Sequence, residues 1–190
     1  MNQRVVLISH AATPAMRQGR FPADDQLDAR SIAEATASRE RIRLPRDALA
    51  LSSPAVCARE TARALGLVAR DVPELADLDY GDWRGRRLAE LADEAPDELA
   101  AWTRDPDAAP HGGESFAKVL ARVGAWLDAI DATGTVIAVT HAPIIRAALL
   151  HALDAPAASF ARVEIAPLSV VELQRAPRGW SWWPGQHTST

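Results

Sequence analysis

Near its N-terminus the chain reads Val5-Val6-Leu7-Ile8-Ser9-His10, and this stretch decides the predicted fold. A short run of apolar, mostly β-branched residues is typical of a strand whose two faces are both buried in a parallel sheet. A second run of this kind, Thr135-Val136-Ile137-Ala138-Val139-Thr140, leads directly into His141. Each of the two predicted strands therefore ends on a histidine.

Strand and helix patterns alternate along the rest of the chain. Further strands are predicted at residues 48–52, near Val163 and at 169–173, the last continuing through a hairpin to Trp182. Helices are predicted at residues 32–42, 54–65, 116–130 and 143–153, with shorter ones at 86–91 and 97–102, whereas 13–27 is predicted to be a loop. This alternation predicts one α/β domain over residues 1–190, built as three α/β/α layers around a largely parallel central sheet.

Composition narrows the class of protein. The 190 residues are 48% hydrophobic and 24% charged, with a formal net charge of −4, which is typical of a globular domain and argues against nucleic acid as a partner. Cys57 is the only cysteine, so the chain cannot form an internal disulfide. No stretch approaches the ~18 apolar residues of a membrane span, so we expect a cytoplasmic protein that does not bind membranes.

The carboxyl ends of the predicted strands indicate where chemistry would occur, because ligands of parallel α/β sheets bind there. An imidazole at a strand end can act as nucleophile, base or metal ligand. Helix starts at Ser53-Pro54 and after His141 would present backbone N–H groups to the same crevice. Asp77 or Asp79, in a glycine-rich loop before Trp83, are the candidate acids.

Several motifs extend this pattern in order along the chain: Ser9-His10-Ala11-Ala12-Thr13, Gly19-Arg20, residues 52–62 (SSPAVCARETA), residues 75–85 (LADLDYGDWRG), Gly112-Gly113-Glu114-Ser115, and residues 139–146 (VTHAPIIR). Over nearly the whole chain they resemble the histidine phosphatase superfamily, the phosphoglycerate mutase-like group. The resemblance implies that His10 attacks phosphorus and forms a phosphohistidine, which water hydrolyses. It implies that His141 stabilises the transferring group and that Asp77 is the general acid. Thr13, Arg20 and Arg59 are further candidates for binding substrate.

Several positions depart from the family pattern: Ala11 and Ala12 replace a glycine and a glutamate, and two further changes fall on the phosphate clamp. Ser9 and Cys57 stand where family members carry the two arginines that clamp the phosphoryl group, and both are kept as candidate substrate-binding positions. Arg59 is a poor substitute for the second arginine, because side chains two apart on a helix do not face the same way. We therefore expect a weak or retuned phosphomonoesterase that acts on a small phosphorylated molecule without metal or cofactor. Efficient turnover would require Arg17, Arg20, Arg59 or Arg84 to enter the crevice.

Two other functions stay open at this point. The loss of both arginines also fits a catalytically silent family member that binds a small anion or a protein. Alternatively, the chain could bind zinc, since the residue types of a zinc shell are found at His10, Cys57, Asp77 and His141. The favoured interpretation of Cys57 is a cysteine that is simply buried in its helix. Trp180, Trp182 and Trp183 would form an aromatic patch for a homodimer, or part of a buried edge strand.

Overall fold

The computed structural model of the protein describes residues 3–42, 44–45, 47–131 and 133–183. Six strands form one sheet in the order β3-β2-β4-β1-β5-β6. Their bounds are β1 Gln3–Ser9, β2 Leu49–Ser52, β3 Arg70–Asp71, β4 Gly134–Thr140, β5 Val170–Ala176 and β6 Gly179–Trp183. The first four strands in this order pair in parallel, and β5 and β6 are antiparallel to their neighbours. The prediction of a largely parallel sheet is confirmed.

Helices connect the parallel strands. Seven α-helices lie in the described residues: α1 Pro14–Arg17, α2 Ala29–Arg41, α3 Val56–Ala64, α4 Leu88–Glu94, α5 Pro96–Arg104, α6 Phe116–Ala129 and α7 Ala142–Ala152. The side chains of Asp28 and Ser115 accept hydrogen bonds from backbone amides in the first turns of α2 and α6, as expected for N-cap residues. In the described part of the chain, no helix combines the length and apolar character needed to cross a membrane.

Helices cover both faces of the sheet. Successive side chains of a strand point to opposite faces, so each strand packs against both helical layers. Val5 and Leu7 of β1 belong to the large core that includes α6 and α7. Val6 and Ile8 of the same strand pack on the other face with apolar residues of α3. This arrangement confirms the three α/β/α layers and leaves the carboxyl ends of β1, β2 and β4 at one common edge.

Four local predictions differ from the structure. The two residues of β3 and the four of α1 are too short to give a recognisable period, and neither was predicted. The strand predicted near Val163 is wrong: this residue follows a 3-10 helix, Ala157–Arg162, which brings Phe160 into the core. The helix predicted from Ser53-Pro54 begins instead at Val56; the Ser53 hydroxyl accepts from the Ala55 amide at 3.2 Å just before the helix and also bonds His141.

A close backbone contact holds the loop after Asp77 against the loop that precedes α6. The Glu114 amide donates to the Asp79 carbonyl at 2.8 Å, and the Asp82 amide donates to the His111 carbonyl at 2.9 Å. Gly81 lies at φ +46°, and a Cβ atom there would stand 2.0 Å from the His111 carbonyl oxygen. Only glycine fits this crossing, so the position of the Asp77 loop depends on it.

We expect Gly81→Ala to lower the free energy of unfolding by about 2–4 kcal/mol, from the left-handed backbone and the clash together. Gly19→Ala is the matched control, because Gly19 also has positive φ (+64°) but has open space around its Cβ position; its cost should stay at about 1 kcal/mol. Urea unfolding of the two variants measures the difference. Equal losses would show that the crossing does not constrain the loop.

Candidate active site

Parallel pairing of β1 and β4 brings the two strand-end histidines together. Ser9 pairs with Thr140 at the last position of the ladder, and the His10 amide donates to the Thr140 carbonyl at 2.9 Å. His10 and His141 follow directly, with ring centroids 4.9 Å apart. Both are buried, at 7% and 2% exposure. The predicted meeting of the two imidazoles is therefore found in the structure.

A pocket of about 320 Å³ opens beside these rings. The residues predicted for the site that line it are His10, Thr13, Cys57, Asp77 and His141. Thr13 also caps α1, where its hydroxyl accepts a hydrogen bond from the Met16 amide at 3.2 Å. The three elements that follow β1, β2 and β4 thus contribute side chains to one cavity.

One ring nitrogen of His10 is held by a hydrogen bond, and the other is available to react. Its Nδ1 lies 2.7 Å from the Ala11 carbonyl oxygen. A carbonyl only accepts hydrogen bonds, so Nδ1 carries the proton and Nε2 keeps its lone pair. Burial and, to a lesser extent, the neighbouring His141 lower the pKa of His10 to about 4. The imidazole is consequently neutral at physiological pH, as a nucleophile or a metal ligand must be.

His141 is held from one side only. Its Nε2 lies 2.7 Å from the Ser53 hydroxyl oxygen, whereas Nδ1 is buried without a hydrogen-bond partner and stands 3.4 Å from Asp77 Oδ2. Burial, and then the charge of Arg122, lower the pKa of His141 to about 3. A hydroxyl can donate to Nε2 or accept from it, so the Ser53 contact permits either tautomer of this ring.

Asp77 and Cys57 are both shifted toward their neutral forms. Burial raises the pKa of the Asp77 carboxyl to about 6, against the opposing effect of His10. Burial, followed by the charge of Asp77, raises the pKa of the Cys57 thiol to about 12. A carboxyl with this pKa can hold or release a proton near neutrality, which is the property a general acid needs.

The remaining predicted site residues lie elsewhere in the structure. Ser9 is buried at the end of β1 and does not line the pocket. Arg20 donates to the Gly85 carbonyl at 2.9 Å, and Arg59 pairs with Asp71 at 3.5 Å. Arg17 bonds Asp28 and Ser31. None of these three arginines is among the residues that line the pocket.

Arg84 is the exception among the candidate arginines, since it lines the pocket, but it pairs with Asp79 at 3.1 Å. Of the two candidate acids, Asp77 lines the pocket beside His141, whereas Asp79 does not.

Sequence reasoning missed Ser53 as the partner of His141, and it missed Asp24 and Asp25 as residues lining the pocket. Ser53 was visible in the Ser-Ser-Pro motif, but a serine before proline is equally typical of a helix N-cap. Asp24 and Asp25 lie in a loop between α1 and α2 without periodicity, and only the tertiary fold places them at the cavity.

Comparison with known proteins agrees with this geometry. The sequence profile of the histidine phosphatase superfamily (branch 1) matches residues 5–183. The chain belongs to the histidine phosphatase superfamily. The resemblance of the strand-end motifs to this family is therefore confirmed.

Relatives in the superfamily include characterised phosphatases. The chain is 32% identical over 185 residues to a bifunctional protein of Mycobacterium tuberculosis. This match covers 89% of the chain but only 50% of the mycobacterial protein, so the chain spans about half the length of that relative. It is 31% identical over 167 residues to the adenosylcobalamin/alpha-ribazole phosphatase of Salmonella typhimurium, covering 82% of both.

A solved structure of mycobacterial glucosyl-3-phosphoglycerate phosphatase in complex with VO3 superposes with a TM-score of 0.81 at 28% identity. The superposition covers 94% of this chain and 96% of the other.

Because His10 and His141 are buried with lowered pKa values, we expect the free energy of unfolding to depend on pH. Below pH 6.5 the unfolded chain protonates His10, whereas the folded chain keeps it neutral down to about pH 4. The unfolded state then binds more protons, so stability falls as pH falls, by up to about 1.4 kcal/mol per pH unit for each such histidine. The raised pKa of Asp77 acts in the opposite sense up to about pH 6, because the folded state keeps that proton.

His10→Gln removes one of these histidine contributions. Between pH 6 and 4.5 the variant should lose stability less steeply than the wild type, by about 1.4 kcal/mol per pH unit. Urea unfolding in the presence of a chelator, repeated across this range, gives both slopes. Parallel slopes would mean that His10 is protonated in the folded protein.

Proposed function

We propose that this protein is a phosphomonoesterase of low turnover that forms a phosphohistidine on His10. The observation that carries the proposal is the free Nε2 of His10, facing a pocket that also contains His141 and Asp77. The substrate is a small phosphorylated molecule, in keeping with a cavity of about 320 Å³.

Each step of the reaction uses a group in this pocket. The lone pair on His10 Nε2 attacks phosphorus, the ester P–O bond breaks, and the leaving oxygen takes the proton from the Asp77 carboxyl. The hydrogen bond from Nδ1 to the Ala11 carbonyl supports the positive charge that the ring gains. Water then attacks the phosphohistidine, Asp77 takes back a proton, and inorganic phosphate leaves with His10 restored.

His141 would stabilise the transferring group. With Nε2 accepting from the Ser53 hydroxyl, Nδ1 carries a proton and can donate to a phosphoryl oxygen. The relatives support phosphoryl chemistry at this site, because two of them are named phosphatases and the solved structure of one holds a vanadium oxyanion.

We expect low turnover because the two arginines that bind the phosphoryl group in the family are replaced in this chain. Family members clamp the phosphoryl group with arginines where this chain has Ser9 and Cys57. Removing one preorganised donor slows catalysis by about 10²–10³, and two such losses would cost roughly 10⁴–10⁶ if they were independent. The paired states of Arg17, Arg20 and Arg59 offer no compensation.

A catalytically silent role is the second candidate. It is favoured because the arginine among the described lining residues, Arg84, is already paired with Asp79. Such a protein would bind a small anion or a protein partner without forming a phosphohistidine. Turnover that depends on His10 separates the two functions.

We expect purified protein to hydrolyse p-nitrophenyl phosphate slowly, in the presence of a chelator, and to form an acid-labile phosphohistidine that intact-protein mass spectrometry detects. His10→Ala should abolish both, because it removes the nucleophile. His151→Ala is the matched control, since His151 pairs with Asp128 outside the pocket, and it should retain both. Equal residual rates for wild type and His10→Ala across a panel of phosphate esters would exclude the enzyme and leave the silent role.

Restoring one clamp residue provides a gain-of-function test. Cys57→Arg places a guanidinium in the first turn of α3 beside the pocket, and we expect kcat/KM to rise by about 10²–10³. Cys57→Met adds length without charge and should give no such gain. The rise must also disappear in Cys57→Arg/His10→Ala; a gain that survives there would come from another reaction.

A further inference from the structure

The carboxylates around the pocket would also attract a cation. Asp24, Asp25 and Asp77 line it, and Arg84, the arginine among the lining residues, is already paired with Asp79. The end of α3 does not compensate, because the Val56 amide donates to the Asp24 carboxylate at 2.9 Å. A divalent cation entering this cavity would be attracted by these carboxylates.

Three metal-ligating side chains converge in the same cavity. One potential ligand atom from each of His10, Cys57 and His141 lies within 4.8 Å of the others, and all three residues are buried. In a tetrahedral zinc shell the ligand atoms lie about 3.3–3.6 Å apart, given Zn–N bonds of about 2.0–2.1 Å and Zn–S bonds of about 2.3 Å. Side-chain movements of about 1 Å would therefore close the shell around an ion.

The hydrogen bonds of both rings leave one nitrogen of each ring free. His10 Nδ1 donates to the Ala11 carbonyl, which leaves Nε2 for a metal. His141 Nε2 is held by Ser53, and its Nδ1 is buried without a hydrogen-bond partner. Metal-binding histidines characteristically use the second ring nitrogen in this way, to bond a carbonyl, carboxylate or water. An unpartnered ring nitrogen buried beside a thiol and a second imidazole is costly unless something binds it.

We propose that His10, Cys57 and His141 form a binding site for a borderline-soft divalent metal ion of the zinc class. Neutral imidazoles and a thiolate are the donors that such ions prefer. The thiol proton of Cys57 passes to solvent as the Zn–S bond forms. Asp77, whose Oδ2 is 3.4 Å from His141 Nδ1, lies next to the fourth position and can fill it directly or through water.

The metal and the phosphoryl group compete for one lone pair. His10 Nε2 cannot attack phosphorus while it coordinates a metal, so the loaded protein is blocked for the reaction proposed above. Metal binding itself does not depend on that reaction. Turnover measured with a chelator tests the phosphatase, and metal stoichiometry tests the site, so either proposal can fail alone.

Equilibrium dialysis against Zn²⁺, followed by elemental analysis, tests the site on the full chain. We expect about one zinc per wild-type chain and loss of this bound ion in Cys57→Ser and His10→Gln. Ser53→Ala should bind zinc about 10–100-fold more weakly, because it removes the group that orients His141. His151→Gln, which alters an exposed His–Asp pair, should bind like the wild type. No stoichiometric zinc in the wild type, or equal zinc in the ligand variants, would overturn the proposal.

The absorption spectrum of the Co²⁺-loaded wild-type protein tests whether the Cys57 thiolate is a ligand. This measurement does not require any variant to fold. Co²⁺-loaded wild type should show a sulfur-to-cobalt charge-transfer band and the intense visible bands of tetrahedral cobalt. Cys57→Ser should lose the charge-transfer band. A wild-type spectrum without that band would mean that Cys57 is not a ligand, and the site as proposed would be wrong.

Discussion

The hydrogen bond from the His10 amide to the Thr140 carbonyl, at 2.9 Å, continues the parallel ladder of β1 and β4 one residue beyond the strands. Parallel pairing in this register places residues 10 and 141 side by side at the same edge of the sheet. A shift of one residue would turn one imidazole toward the opposite face. The apolar side chains of both strands, buried on two faces, resist such a shift, so the core that stabilises the fold also sets the distance between the two rings.

Burial without compensating cations then determines the chemistry of the pocket. Two imidazoles 4.9 Å apart, both with depressed pKa values, share the cavity as neutral groups. A guanidinium clamp would make the same cavity a strong anion site. Without such a clamp, the described lining of the cavity combines carboxylates, neutral nitrogens and a thiol, which are donors that a metal ion can also use. The proposed nucleophile and the proposed metal site are thus two uses of the same lone pair on His10.

Much of the architecture was predictable from local patterns. The runs before His10 and His141 are apolar at residues 5–8 and 136–139, all of which the sheet buries, and α6 carries apolar side chains at three- and four-residue intervals. These signals depend only on neighbours in sequence. The start of α3 was predicted two residues early because a Ser-Pro pair satisfies the local rule for a helix N-terminus. The Ser53 hydroxyl does bond the nearby Ala55 amide, but its contact with His141 is long-range and has no local signature.

By itself the sequence determined the α/β class, the two histidines at strand ends, and the absence of arginine at positions 9 and 57, because each is a matter of residue type and local period. Only the tertiary structure decided where the other arginines go. Arg17, Arg20 and Arg59 form contacts with residues of other segments, and Asp24 and Asp25 reach the pocket through a loop without pattern. The physical reason is that charge balance in a cavity depends on which distant side chains meet there, and those meetings follow from packing rather than from spacing along the chain.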